Sequence, residues 1–346
     1  MEKIEKEKIN RILVIKLRGI GDVVLSTIVL NNLKLDFPNS LIDYLVELPS
    51  SFGVKGLQNV NDVLIFHRND FWQKVKLIFQ IKKNKYDLVI DLFSNPSTAI
   101  ITYLSGAKYR AGFPYRGRKY AYNRFGPIER GKFHSADLNL QLLKNLGIAS
   151  SCKELQYYID KSSKQFAEKY VRDNFLQNDF IVGICPTGGW PSKKCDPEKF
   201  IEFAKAIKNK FGAKLLILWG KSDELDAKII FEGLKEISSI APSTSIQEMA
   251  ALISQCNLLI ANDSGPMHIS TAIGTPVLSL HGPTSPYMQG PFGSKHEWLR
   301  LDSLNCIECN LLDCPKNHEC FKFLSSELVL EKVQNLIEKN NLKILA

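Results

Sequence analysis

The chain has 346 residues, 45% of them hydrophobic and 23% charged, with a formal net charge of +9. That balance is ordinary for a globular protein, and the length favours two domains over one and excludes a small disulfide scaffold. The positive charge suits an anionic partner: a phosphorylated sugar, an acidic glycolipid, a membrane face or nucleic acid.

The opening MEKIEKEKIN is charged and carries no hydrophobic signal core. RILVIK (11–16), SLIDYLV (40–46), DVLIF (62–66) and YDLVIDLF (86–93) then read as strands. Their runs are continuous rather than alternating, as in a parallel sheet buried on both faces. VVLSTIVLNNLKLDF, FWQKVKLIFQIKKNK, NPSTAIITYLSG and SADLNLQLLKNLG have helical length and spacing, the last ending at Gly147. A second series follows, with FIVGICP, KLLILWG, NLLIAND and TPVLSLHG as strands. The helices between them, DPEKFIEFAKAIKNKFG, SDELDAKIIFEGLKE and SIQEMAALISQC, each begin at a Ser or Asp suited to capping. No apolar run approaches the roughly 18–20 residues that span a bilayer, so a cytoplasmic protein, soluble or peripheral on a membrane, is expected.

Two such halves imply α/β architecture with two doubly wound, Rossmann-like domains facing each other across a cleft. The boundary is expected in the polar stretch from about Asp160 to Asn178. That gives domains at 1–165 and 175–325, and a closing helix in 326–346 expected to pack back toward the first domain. Ligands of such sheets sit beyond the carboxyl ends of the strands.

At the first strand exit stands Arg18-Gly19-Ile20-Gly21-Asp22. The dinucleotide fingerprint is incomplete, with Val24 at the third glycine position, and Asp22 would repel a pyrophosphate. Both features count against an NAD-dependent oxidoreductase. Asp22 is either a helix cap or a general base on a rigid turn, with Gly19 and Gly21 allowing close approach of a substrate. At a late strand exit, NDSGPMHISTAIGTPVLSLHGPTSP places Ser264-Gly265-Pro266 at a helix start. Backbone amides, a hydroxyl and a small glycine there make an anion site, which fits a pyrophosphate better than RGIGD does. His268 is equally readable as a packed helix residue, and Asp263 as a cap.

This segment resembles the nucleotide-sugar signature of glycosyltransferase family 9, the ADP-heptose:lipopolysaccharide heptosyltransferases, and VIKLRGIGDVVLSTIVLNNLK resembles that family's opening strand, turn and helix. AKYRAGF (107–113), HSADLNLQLLKNLG (134–147) and WPSKKCDPEKF (190–200) fall in the family's order and spacing. The resemblance implies the GT-B fold, with an acceptor-binding first domain and a nucleotide-sugar-binding second domain. It implies Asp22 as base, Lys193 (or, in a shifted register, Lys194) as a donor-phosphate contact, and Asp263, Ser264, Gly265, Pro266, Met267 and His268 as the pyrophosphate site. Thr187 is placed to meet the nucleotide. Glu224 either holds ribose hydroxyls or is a first-turn acid favourable to the helix dipole. Arg18, Gly19 and Gly21 are the expected acceptor contacts. The chemistry implied is inverting, metal-independent transfer of heptose from ADP-heptose, with no cofactor required, to an anionic lipopolysaccharide core or lipid A-linked acceptor. The enzyme would work at the inner face of the cytoplasmic membrane of a bacterium. A related enzyme using another nucleotide sugar and a non-catalytic sugar-nucleotide binder are the alternatives.

YRAGFPYRGRKYAYNRFGPIERGK interleaves basic and aromatic residues. No RNP, helix-turn-helix or OB signature accompanies it, so no nucleic-acid partner is expected, and an anionic acceptor suits it better. Cys306, Cys309, Cys314 and Cys320, with His318 among them, have the ligand types of a structural zinc site but not a standard spacing. Reduced thiols in a stabilised loop are expected, with zinc as the alternative.

Overall fold

The computed structural model describes residues 4–344. The chain divides after Tyr158 into two compact units. The first runs β1 (Arg11–Ile15), α1 (Ile20–Ser26), α2 (Ile28–Asp36), β2 (Leu41–Val46), β3 (Asp62–Ile65), α3 (Phe71–Asn84), β4 (Leu88–Asp91), α4 (Pro96–Leu104), β5 (Tyr109–Gly112), β6 (Arg124–Phe125) and α5 (Ser135–Asn145). Its six strands lie in the order β3-β2-β1-β4-β5-β6, every pair parallel. The second runs α6 (Lys161–Asn174), β7 (Ile181–Cys185), α7 (Pro197–Phe211), β8 (Lys214–Ile217), α8 (Glu224–Leu234), β9 (Ser238–Ile240), α9 (Ile246–Ser254), β10 (Leu258–Asn262), α10 (Gly265–Ile273), β11 (Val277–Leu280), α11 (Pro286–Gln289), β12 (Glu297–Leu299), α12 (Glu319–Lys322) and α13 (Ser326–Lys339). Its order, β12-β11-β10-β7-β8-β9, repeats the same winding and is again all parallel. The expected doubly wound α/β class is therefore present twice.

The continuous apolar runs are central strands. Ile12 to Ile15 and Leu258 to Ala261 are fully buried, because helices cover both faces of each sheet. The long helix expected over 23–37 is instead two, α1 and α2, meeting at Thr27. The hydroxyls of Ser26 and Thr27 donate back to the carbonyls of Val23 and Val24, and Thr27 Oγ1 also accepts the amide of Gln156. Back-bonding of this kind bends a helix.

The polar stretch expected to hold the boundary is largely α6. Asp160 caps it, accepting the amide of Ser163 at 2.8 Å. The closing helix α13 is amphipathic. Val329, Val333 and Leu336 line one of its faces and are fully buried with Phe200, Phe203 and Leu280 in the core of the second unit. Its apolar stripe packs within that core.

Candidate functional site

In the first unit the strand order reverses between β1 and β4, so the loops leaving these two strands flank the switch point. The backbone continues from β1 into Lys16, only 6% exposed. Its stem stays in the interior while Nζ lies 3.3 Å from Asp22 Oδ1 and 5.7 Å from the centre of the Phe93 ring. The chain then turns through Gly19, whose φ of 77° suits glycine. Gly19 is the N-cap of α1, and Asp22 stands in its first turn. The carboxylate thus adds favourable charge to the helix start without capping it. It is tethered by a buried lysine at one oxygen while its side chain keeps 38% of its exposure. Arg18 and Gly19 are exposed beside it, and Gly21 is buried. At the β4 exit Asp91 is buried and accepts the amides of Phe93 and Ser94 and the Tyr122 hydroxyl. Burial pushes its carboxyl up against those bonds, and the three contacts fix the neighbouring turn.

In the second unit the reversal falls between β7 and β10. Asn262 ends β10 and joins two loops: its amide donates to the Pro186 carbonyl at 2.8 Å, and its Oδ1 accepts the Cys195 amide at 3.1 Å. Asp263 follows, almost fully buried, with Lys193 Nζ at 2.7 Å and the Thr284 hydroxyl at 2.5 Å. Lys193 also lies 4.2 Å above the Trp190 ring. Burial works against the charge of Asp263, but His281 and Lys193 outweigh it and hold the carboxyl below its ordinary range. Burial pushes the His281 imidazole itself down to about 4, so at neutral pH Lys193 is the cation that keeps Asp263 charged. Lys194 turns to Asp223 and Asp226 instead. Of the two lysines, Lys193 is the one beside Asp263.

The N-cap of α10, Ser264, makes no side-chain capping bond, and its hydroxyl donates to the Asn262 carbonyl at 3.3 Å. Pro266 has no amide, so the α10 terminus presents the amides around Gly265 and Met267 next to Asp263 and Lys193. The side chains of Pro266, Met267 and His268 are buried, and Met267 is fully so. Thr187 sits at the β7 exit, where its hydroxyl accepts the Gly220 amide at 3.3 Å. Glu224 lies in the first turn of α8, paired with Lys228 at 2.8 Å along the helix. The acid that the fold buries at this exit is its neighbour Asp223, 1% exposed and held by Lys194.

Residues 304–318 form a strap behind these loops. The Glu308 amide donates to Gly282 and the Asn310 amide to Pro283, while the Ser192 amide and hydroxyl donate to the carbonyls of Leu312 and Leu311. Cys306, Cys309 and Cys314 of the segment and Cys320 just after it are free thiols, and among the described residues no group of three or more His, Cys, Asp or Glu is arranged to hold a metal ion.

Four residues carry more of this geometry than the sequence suggested: Lys16, Asn262, His281 and Thr284. A lysine closing an apolar strand was a visible signal for Lys16. Asn262, His281 and Thr284 lie within the NDSGPMHISTAIGTPVLSLHGPTSP segment, but their contacts are set by the fold and not by their spacing. His281 also gives a testable pH dependence. The unfolded chain protonates a histidine near pH 6.5, whereas the folded chain waits until about 4. Stability should therefore fall as pH drops through that window, by about 3 kcal/mol at its lower end from this residue. His296, pushed down to about 4 mainly by burial, adds in the same direction. Urea unfolding of wild type and His281→Asn at a series of pH values checks this; equal slopes would refute the assignment.

Solved structures share the whole architecture. The glycosyl transferase family 9 structure from Veillonella parvula superposes with a TM-score of 0.81 at 23% identity, over 95% of this chain and 97% of that one. The Escherichia coli ADP-heptose lipopolysaccharide heptosyltransferase II gives 0.75 at 19% identity, over 96% and 99%. The protein thus has the GT-B fold. Residues 74–318 match the family model for glycosyltransferase family 9 (heptosyltransferase), and the chain belongs to that family and is a glycosyltransferase. It is also 26% identical to lipopolysaccharide heptosyltransferase 3 of Escherichia coli over 292 residues, 79% of this chain and 84% of that protein.

Proposed function

We propose that the protein is an inverting heptosyltransferase that moves heptose from ADP-heptose to an anionic, lipid-anchored lipopolysaccharide core at the inner face of the cytoplasmic membrane. The observation that carries the reading is the division of charge between the two switch points. An open carboxylate, Asp22, stands at one, and the Lys193–Asp263 pair beside an uncapped helix start stands at the other. The names of similar proteins, lipopolysaccharide heptosyltransferase 3 and ADP-heptose lipopolysaccharide heptosyltransferase II, supply the donor and acceptor class.

In this reading the first unit binds the acceptor, with Arg18 meeting its anionic groups and exposed Gly19 giving it access to the turn, while buried Gly21 shapes the turn from inside. Asp22 takes the proton of one acceptor hydroxyl as that oxygen forms its bond to the anomeric carbon. The bond from that carbon to the diphosphate breaks on the opposite side, which inverts the centre and releases ADP. Lys193 and the amides at the start of α10 meet the charge that grows on the departing diphosphate, the role a divalent cation would otherwise fill. Asp263 orients Lys193, Ser264 and His268 border the same terminus, and Thr187 and Glu224 lie toward the nucleoside.

Incubation with ADP-heptose and a truncated core acceptor, in the presence of a chelator, should release ADP and yield one new glycoside of inverted configuration. Donor binding without turnover would leave the chain as a sugar-nucleotide binder, and retained configuration would remove Asp22 from its role. The first turn gives a finer test. A Cβ on Gly19 would lie 2.9 Å from Asp22 Oδ2 in a backbone conformation that side chains rarely adopt. Gly19→Ala should cost about 1–2 kcal/mol in stability and lower kcat by displacing the carboxylate, with donor affinity unchanged. A wild-type kcat would show that Asp22 does not depend on this turn.

A further inference from the structure

We propose that the outward faces of α3 and α4 form a docking surface for an anionic lipid bilayer. Helix α3 buries only Leu77 and Ile81 fully. These pack with Ile101 of α4 and Val89 of β4 in one core, so the two helices cover the same side of the sheet. The opposite side of α3 carries Trp72, Lys76, Phe79 and Lys83, spaced four, three and four residues apart and so aligned in one stripe. Trp72 and Phe79 are 72% and 70% exposed, and both lysines are exposed. On α4, Ile100, Tyr103 and Leu104 also point outward, and Tyr103 packs edge-on against exposed Tyr120.

A water-facing helix has no reason to expose large rings at every other step of a lysine stripe. An interfacial helix does, since rings enter the boundary between headgroups and acyl chains while lysines reach lipid phosphates. Charge complementarity identifies the occupant. From Phe71 to Ile128 the chain has only two carboxylates, Asp87 and Asp91. Asp91 is buried and Asp87 is occupied by the amides of Asn10 and Arg11. The exposed Asp70 just before α3 is engaged as its N-cap by the Gln73 amide, and the stripe from Trp72 to Lys83 itself carries cations and apolar rings with no acid among its residues. The proposal deepens the reading of a lipid-anchored acceptor, because it holds the acceptor-binding unit at the surface where that acceptor lies.

The test is co-sedimentation of the full chain with vesicles of phosphatidylcholine, with and without phosphatidylglycerol. Binding should require the anionic lipid and weaken as salt is raised. Lys76→Gln/Lys83→Gln should weaken it about 30-fold, from the contribution of each lysine near an anionic surface. Trp72→Ser/Phe79→Ser should weaken it at least about tenfold. The altered side chains are exposed, so both variants should unfold at the wild-type temperature and turn over a water-soluble truncated acceptor normally. Asp22→Asn should bind vesicles as wild type does, which separates this proposal from the catalytic one. Wild-type binding by either double variant, or binding indifferent to phosphatidylglycerol, would overturn it. So would a dimer, seen by sedimentation velocity without lipid, that the aromatic variant dissolves, since the stripe would then join two copies of the chain.

Discussion

Asp22→Asn should lower kcat by about 10²–10⁴-fold, the range that a positioned general base supplies, while the ADP-heptose dissociation constant stays within about twofold. The substitution keeps the shape of the side chain and an oxygen that can accept from Lys16, now 3.3 Å from Oδ1. It removes the negative charge and with it the capacity to take a proton. The turn itself should persist, because its cap is Gly19 and not Asp22. Some stability is lost, since buried Lys16 loses its charged partner, so unfolding is measured alongside the rates. ADP release under saturating donor and acceptor reads the first quantity, and calorimetric titration with ADP-heptose reads the second. A kcat within an order of magnitude of wild type would end the general-base assignment. A large loss of donor affinity would place Asp22 in donor binding instead.

Lys193→Met should destabilise the protein by about 3–5 kcal/mol, the usual result of leaving one member of a buried ion pair unpaired. Asp263 has Lys193 at 2.7 Å and the Thr284 hydroxyl at 2.5 Å. Donor binding should fall by about 10- to 100-fold with the loss of a charged hydrogen bond to phosphate. The double variant Lys193→Met/Asp263→Asn distinguishes the two effects. It removes the stranded charge and should recover most of the stability, yet donor affinity should stay low. Recovered affinity would mean that Lys193 matters only for keeping Asp263 in place. A single variant as stable as wild type would show that the pair does not hold these loops.

Much of the scaffold is readable in the residues. ILVIK and NLLIAND announce central parallel strands, because burial on both faces demands unbroken apolar runs. Ser264-Gly265-Pro266 announces a helix start with open amides. The strands β6 and β12 are not announced, since two or three residues with few apolar side chains pair only because a neighbouring edge is already there. Thr27 interrupts a helical pattern that periodicity reads as continuous, since the break comes from hydroxyl bonding rather than from a change of spacing. In α13 the apolar stripe is legible, but which core it fills is decided by the winding of the second sheet. The Lys193–Asp263 contact is harder still: seventy residues separate the partners, and no local rule relates them. Local chemistry therefore locates both strand exits, while the pairing of charges around them is a product of topology.

The strap of residues 304–318 bears on how this protein can diversify. In the bonds that fasten it to the Gly282–Pro283 and Ser192 loops, the strap contributes only amides and carbonyls of Glu308, Asn310, Leu311 and Leu312. Backbone groups are the same whatever side chain they carry. Leu311 and Leu312 can accordingly be exchanged without loosening the Ser192 loop, whereas the loss or gain of a single residue would move every fastening point, and Glu308 and Asn310 are further restricted by their positive φ. The strap's fastening thus depends on its length more than on the side chains at 311 and 312.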